Sequence, residues 1–167
     1  MKLTILGTGN ATVTECYNTC FALSEEGKHF LVDCGGGNRI LKVLKETKIS
    51  LEDVHDIFIT HEHADHILGI VWMVRMICQN MSQGKYEGEA VIYGHDEAIA
   101  LVKDMAEKLL QKKQTKFIGD RLHLIPVADG EAKEFLGKQV TFFDIHSTKA
   151  RQFGFSLTLN NGKKLTF

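Results

Sequence analysis

The stretch FITHEHADHILGI, residues 58–70, places three histidines, one glutamate and one aspartate within six consecutive positions. The apolar run that precedes them, DIFI at 56–59, is typical of a short buried strand. The sequence that follows, from Ile67 to about Met81, is apolar enough for a buried helix. The ionisable cluster therefore lies at a predicted strand-to-helix junction, between two pieces of hydrophobic core.

The spacing of the cluster predicts a metal site. Residues two apart at the end of a strand project the same way, so His61 and His63 are expected to aim their imidazoles at one point. Asp65 and His66 fall where the helix opens, beside the first pair but directed at a neighbouring position. Imidazole nitrogens and carboxylates are ligands that suit zinc, iron or manganese. The alternative is a solvated loop, which so many ionisable groups between apolar segments disfavour.

Composition narrows the class of protein. A chain of 167 residues with 44% hydrophobic content can bury a sizeable core and predicts one domain over residues 1–167. Twenty basic and twenty-one acidic residues give a net charge of −1. This balance excludes an overall positive electrostatic field that would attract nucleic acid or an anionic membrane. The N-terminus lacks the apolar segment of a signal peptide, and no stretch approaches the roughly 20 apolar residues of a membrane span. We therefore expect a soluble, cytoplasmic protein.

The order of the predicted elements indicates an α/β fold. Helices are predicted over 39–46, 67–81 and 95–112, with a short one capped by Ser50 and Asp53. Strands are predicted at 2–6, 19–24, 28–33, 56–59 and 90–93, and again at 122–127, 139–145, 153–159 and 163–167. Early alternation of strands and helices followed by β-rich sequence favours a layered sheet over a helical bundle.

The H-x-H-x-D-H pattern of residues 61–66 resembles the metal-binding signature of the metallo-β-lactamase superfamily of hydrolases. Three further stretches are similar to that family: LGTGNA at 6–11, LVDCGGG at 31–37 and FFDIHS at 142–147. The resemblance implies an αβ/βα sandwich, of which this chain carries the first half and the opening strands of the second. Because no acid follows the last strand before Phe167, we expect a chain shortened at its C-terminus.

The resemblance also implies a ligand set for two divalent metal ions, zinc first, with manganese or iron as alternatives. The implied ligands are His61, His63 and His146 for the first ion, and Asp65 and His66 for the second. The second site would be incomplete in this chain. Asp33 would hydrogen-bond a ligand imidazole and fix its tautomer.

The function that this resemblance implies is hydrolysis by a metal-activated water, with a small-molecule or nucleotide phosphodiester as the favoured substrate. Asp65 would be catalytic, holding the second ion and orienting the nucleophile. The branch with ribonuclease Z and nucleotide phosphodiesterases is the nearest, so tRNA 3′ processing is the alternative. A single proline, Pro126, and no glycine- and proline-rich arm make nucleic acid the less favoured substrate. A redox protein using iron, or a non-catalytic metal-binding domain, is the alternative from another class.

Two expectations concern the remaining surface. An incomplete sandwich is expected to leave apolar surface that another copy covers, which favours a homo-oligomer. His95 follows a predicted strand and could approach the metal site, although a lone histidine there is more often an exposed loop residue.

Overall fold

A computed structural model describes every residue from Met1 to Phe167. Two β-sheets pack face to face, and helices cover the other face of the larger sheet. The predicted α/β class is therefore confirmed, whereas the extent of the domain over 1–167 stays a prediction. None of the helices has the length and apolar character that crossing a membrane requires.

The larger sheet has six strands in the order of the sequence. The strands are β1 (Lys2–Gly7), β2 (Cys20–Glu25), β3 (Lys28–Val32), β4 (Val54–Phe58), β5 (Ala90–Gly94) and β6 (Leu122–Pro126). The first three strands pair antiparallel, and β3 to β6 pair parallel through helical crossovers. The carboxyl ends of β3, β4 and β5 consequently meet at one edge, which is where ligands bind in open α/β sheets.

The smaller sheet has four antiparallel strands. They are β7 (Ala132–Phe135), β8 (Lys138–Asp144), β9 (Phe153–Thr158) and β10 (Lys164–Thr166), in the order β10-β9-β8-β7. The amide of Phe153 donates to the carbonyl of Thr60 at 3.0 Å. This bond joins the start of β9 to the segment after β4, so both sheets contribute to the same edge.

Five helices are present, together with a 3₁₀ turn at Leu51–Asp53. The helices are α1 (Arg39–Glu46), α2 (Ala64–Ile67), α3 (Ile70–Ser82), α4 (Asp96–Leu109) and α5 (Lys112–Thr115). The turn replaces the capped helix expected after Ser50, because that hydroxyl contacts the side chain of Glu52 and not a backbone amide.

Alternation along the strands divides the core into two layers. On β3, Leu31 faces the helices while Phe30 faces the smaller sheet, and both are fully buried. The layer between the sheets is aromatic: the ring of Phe30 lies 5.5 Å from that of Phe155, and Phe58 lies 4.8 Å from Phe142, between centroids. Because successive residues of a strand point to opposite faces, an unbroken apolar run such as 30–32 predicts burial on both sides of the strand.

The helix predicted over 67–81 begins at Ile70, because Ile67 ends the separate helix α2. Three further features differ from the predictions. The helix predicted over 95–112 ends at Leu109, and α5 follows as a separate turn. Strand β7 was not predicted, since its sequence AKEF carries two charges in four residues. Asp33 lies beyond β3 in a left-handed conformation with φ of 56°, and so does not continue the strand.

Gly69 permits close contact between the segment before α3 and the loop after β3. Its amide donates to the carbonyl of Gly35 at 2.8 Å, and a Cβ built on it would lie 1.9 Å from the carbonyl oxygen of Cys34. We expect Gly69→Ala to lower the free energy of unfolding by about 3 kcal/mol, because backbone must move to admit the methyl group. Urea unfolding measures this loss.

Gly37→Ala is the matched control for Gly69→Ala. A Cβ on Gly37 meets nothing within 4 Å, so its effect should stay within about 0.5 kcal/mol. Equal stability losses in the two variants would contradict the assignment of a specific close contact to Gly69.

Candidate metal centre

The site is built on Asp33, a carboxylate that is only 1% exposed at the end of β3. Aspartate tolerates the left-handed backbone found here better than most residues do. Its Oδ1 accepts from the amide of Thr60 at 2.9 Å, and its Oδ2 accepts from the hydroxyl of Thr60 at 2.8 Å. Burial raises the pKa of Asp33, while the hydrogen bonds from His66 and Thr60 act in the opposite direction. The carboxylate therefore anchors the turn after β4 to β3.

Thr60, held by Asp33, in turn fixes the tautomer of His61. Because the Thr60 hydroxyl donates to Asp33, it accepts from Nδ1–H of His61 across 2.9 Å. This assignment leaves the lone pair on Nε2 of His61. Burial, followed by the charges of His66 and His63, lowers the pKa of His61 to about 4, so the imidazole is neutral at pH 7. A neutral imidazole is the form that binds a metal ion.

The two nitrogens that face each other in the turn belong to His61 and His63. Nε2 of His61 lies 3.0 Å from Nδ1 of His63. Two nitrogen ligands at 2.0–2.1 Å from one tetrahedral zinc ion are about 3.3 Å apart. The observed spacing thus fits a shared ion with an adjustment of a few tenths of an ångström. His61 is buried and His63 is exposed, so the pair lies at a solvent-accessible position.

His66 is held by the same carboxylate from the other side. Its Nδ1 donates to Oδ2 of Asp33 at 2.7 Å, and its Nε2 lies 3.6 Å from Oδ2 of Asp65. Burial alone would lower the pKa of His66, but the hydrogen bond and charge of Asp33, with the charge of Asp65, outweigh it and raise that pKa. The rings of His61 and His66 are 4.2 Å apart between centroids. Nε2 of His66 and the carboxylate of Asp65 are thus placed to share an ion next to the first pair.

His146 is at the same edge of the sandwich but does not contact this cluster. It follows β8 in a left-handed conformation, and its side chain is 84% exposed. Its amide donates to Oδ1 of Asp144 at 2.7 Å, and its Nδ1 is 3.7 Å from the same oxygen. Since Ile145 pairs with Gln152, next to Phe153, the Thr60–Phe153 bond keeps this segment near the histidine turn. The role of His146 as a ligand stays a prediction.

Sequence reasoning missed Thr60, Glu62 and Glu97, and it favoured the wrong environment for His95. That histidine is fully buried, not an exposed loop residue, and its Nε2 lies 3.4 Å from Oε2 of Glu62. The side chains of Glu62, His95 and Glu97 bring their ligand atoms within 4.8 Å of one another. A hydroxyl directly before His61 was the signal for Thr60, whereas no local pattern links residue 62 to residue 95.

Two other histidines, His29 and His55, have ordinary structural roles. Nδ1 of His29 is hydrogen-bonded to the hydroxyl of Ser24, and Nδ1 of His55 is hydrogen-bonded to the carbonyl of Glu89. Both lie near the amino ends of β3 and β4, at the opposite end of these strands from Asp33.

Comparisons with known proteins agree with this geometry. The chain is 35% identical over 106 residues to ribonuclease Z of Methanococcus maripaludis, a match that covers 63% of this chain and 32% of that protein. Its fold is similar to that of the human tRNase Z short form, with a TM-score of 0.72 and 21% identity, covering all of this chain and 68% of that one. It is also similar to YhfI of Bacillus subtilis, a metallo-β-lactamase fold protein, with a TM-score of 0.73 and 21% identity over 98% of this chain and 61% of that one.

The two packed sheets, the flanking helices and the H-x-H-x-D-H turn define a protein of the metallo-β-lactamase fold. The resemblance to the metallo-β-lactamase superfamily that the H-x-H-x-D-H motif indicated is confirmed for the fold. Within the fold, the profile of the family described as "Anti-Pycsar protein Apyc1" matches residues 1–167, and the chain belongs to that family. The matched part of the chain covers about a third of the length of these curated relatives.

Proposed function

We propose that this chain carries the metal-binding part of a metal-dependent hydrolase whose substrate is a phosphodiester. The observation that carries the proposal is the 3.0 Å approach of His61 Nε2 to His63 Nδ1. The tautomer of His61 is set by Thr60, whose hydroxyl donates to Asp33 and accepts from Nδ1 of His61. Buried carboxylates that orient ligand histidines in this way are a usual feature of metal sites in proteins.

In this proposal His61, His63 and His146 hold one divalent ion, and Asp65 and His66 contribute to a second. Zinc fits the nitrogen-rich set best, with manganese or iron as alternatives. His146 would have to turn its exposed imidazole toward the histidine turn, and an exposed side chain can change rotamer at little cost. When bound, the ions supply Lewis acidity and an acidified water at neutral pH.

The protein's own residues then have distinct tasks. The carboxylate of Asp65 accepts a hydrogen bond from the attacking water and orients it toward the phosphorus atom. Asp33 keeps Nδ1 of His66 protonated, so that Nε2 stays available as a ligand. Thr60 does the same for His61 by accepting from its Nδ1. The buried floor of the site limits the ways in which water and substrate can approach.

The relatives support hydrolysis of a phosphodiester. The curated proteins that match are named ribonuclease Z, and the matching family is described as an Anti-Pycsar protein. Processing of tRNA 3′ ends is the second candidate, favoured by 42% identity over 95 residues to ribonuclease Z of Methanothermobacter thermautotrophicus. A single proline and a net charge of −1 favour a small phosphodiester over tRNA.

The experiment is a metal-dependent hydrolysis assay on the protein as its gene encodes it. We expect hydrolysis of bis(p-nitrophenyl) phosphate or a cyclic mononucleotide after loading with zinc or manganese, and loss of at least 90% of the rate after treatment with EDTA. A tRNA precursor tests the second candidate, and a lactone and nitrocefin test other hydrolases of this fold. Protein that contains iron and hydrolyses none of these substrates would overturn the proposal in favour of a redox or non-catalytic metal protein.

The predicted homo-oligomer and the cytoplasmic location also remain proposals. Self-association is supported by the apolar side chains of Leu3 and Ile5, which are 50% and 53% exposed on the edge strand β1. Phe167, 45% exposed, lines the same apolar groove.

A further inference from the structure

A second cluster of possible ligands lies beside the histidine turn. It consists of Glu62 from the turn, His95 at the start of α4 and Glu97 in the first turn of that helix. One ligand atom from each residue lies within 4.8 Å of the other two. Exposed acidic side chains often lie close together without binding an ion. An ion site here therefore depends on the environment of His95.

His95 is fully buried, yet neither of its ring nitrogens has a hydrogen-bond partner. Its Nε2 is 3.4 Å from Oε2 of Glu62, close enough for an ion pair but without hydrogen-bond geometry. Buried polar atoms are nearly always hydrogen-bonded in folded proteins, so an unpaired buried nitrogen calls for a partner. A cation between the imidazole and the carboxylate supplies one for Nε2.

The separation of these atoms fits a shared ion better than a hydrogen bond. Nitrogen and oxygen ligands at 2.0–2.2 Å from one tetrahedral ion lie about 3.4 Å apart. A good hydrogen bond between the same two atoms would be close to 2.8 Å. The 3.4 Å between Nε2 of His95 and Oε2 of Glu62 therefore matches two ligands of one ion.

The charges around the cluster also favour a cation. Glu62 and Glu97 contribute two carboxylates, and the basic side chain that stacks beside His95, Arg151, is paired with Asp96 and Asp144. The guanidinium carbon of Arg151 stacks 5.2 Å above the ring centroid of Phe153, whose ring is 5.6 Å from that of His95. Arg151 thus borders the cluster without neutralising Glu62 or Glu97.

This cluster is separate from the pair formed by His61 and His63. Those two imidazoles contact each other, whereas the side chain of Glu62, between them in sequence, reaches His95. Side chains of consecutive residues in extended backbone point in opposite directions, so Glu62 points away from His61 and His63. One short turn therefore contributes side chains to two neighbouring sites.

We propose that Glu62, His95 and Glu97 form an additional site for a divalent transition-metal ion. One imidazole and two carboxylates suit manganese, iron or zinc, and three protein ligands leave coordination positions open for water or a phosphate oxygen. The site goes beyond the proposed function and does not depend on it, because its ligands differ from those of the histidine pair.

Manganese binding tests this site, measured by electron paramagnetic resonance of free Mn²⁺ and by isothermal titration calorimetry on the whole protein. We expect Glu97→Ala to remove one equivalent of bound Mn²⁺ or to weaken one binding event at least tenfold. Glu107→Ala is the matched control, since Glu107 is also exposed on α4 but pairs with Lys103. It should bind Mn²⁺ like the unchanged protein. Circular dichroism verifies that both variants fold.

Two further variants separate this site from the histidine pair. Glu62→Gln should lose the same equivalent as Glu97→Ala, whereas His61→Ala should lose a different one. Unchanged Mn²⁺ stoichiometry and affinity in both Glu97→Ala and Glu62→Gln would overturn the proposal. An absence of hydrolysis in protein that binds Mn²⁺ through Glu97 would overturn the proposed function and leave this site standing.

Discussion

Replacing Asp33 by alanine will lower the free energy of unfolding by about 3–5 kcal/mol. The carboxylate is 1% exposed and accepts three hydrogen bonds, two from Thr60 and one from His66. Its removal leaves buried donors without a partner, and alanine also tolerates the left-handed backbone at position 33 less well. Urea unfolding in the presence of EDTA measures the loss without a contribution from bound metal.

The same variant will weaken metal binding by roughly 10- to 100-fold, because His66 loses the group that fixes its tautomer. Competition with a chromophoric zinc chelator measures this change. Asp33→Asn separates the two effects, since asparagine tolerates the left-handed backbone but offers a single acceptor oxygen. Asp120→Asn, at an exposed position without a side-chain hydrogen bond, is the surface control. A stability loss below about 1 kcal/mol in Asp33→Ala would contradict its anchoring role.

Replacing His61 by alanine will lower the metal stoichiometry and, if the chain hydrolyses phosphodiesters, reduce the rate on the order of 10³-fold or more. A bound ion contributes several kcal/mol of transition-state stabilisation, and each 1.36 kcal/mol corresponds to a factor of ten in rate. Nε2 of His61 is 3.0 Å from Nδ1 of His63, so its loss removes half of the closest nitrogen pair in the site. Elemental analysis of protein purified without added metal gives the stoichiometry.

His55→Ala is the control for His61→Ala. His55 lies on β4, the strand that leads into the histidine turn, at the end away from the site, where it is hydrogen-bonded to the carbonyl of Glu89. We expect this variant to retain metal and activity. If His61→Ala binds as much metal as the unchanged protein, then His61 is not a ligand and the proposed function loses its main support.

Most of the helices and strands could be predicted from the pattern of apolar residues in the sequence. The apolar residues 30–32 and 57–58 face the two core layers in turn, and burial on both faces leaves such an apolar run in the sequence. Strand β7 was not predicted because charged residues occupy two of its four positions, so pairing with β8 is what makes AKEF a strand. The end of α4 at Leu109 was missed since the following residues are good helix formers on their own.

The site divides in a similar way. His61, His63, Asp65 and His66 lie within six positions, so the chain itself brings them together and the sequence by itself determined that cluster. Only the tertiary structure decided which ligand imidazole Asp33 holds, namely that of His66. It alone also decided that Glu62 reaches His95 and that His146 is exposed beside Asp144. These contacts link residues far apart in the chain, and their geometry depends on strand order, parallel register and the packing of one sheet on the other. The spacing of residues along the chain does not reveal strand order, register or sheet packing, because these depend on the free energy of the whole folded core.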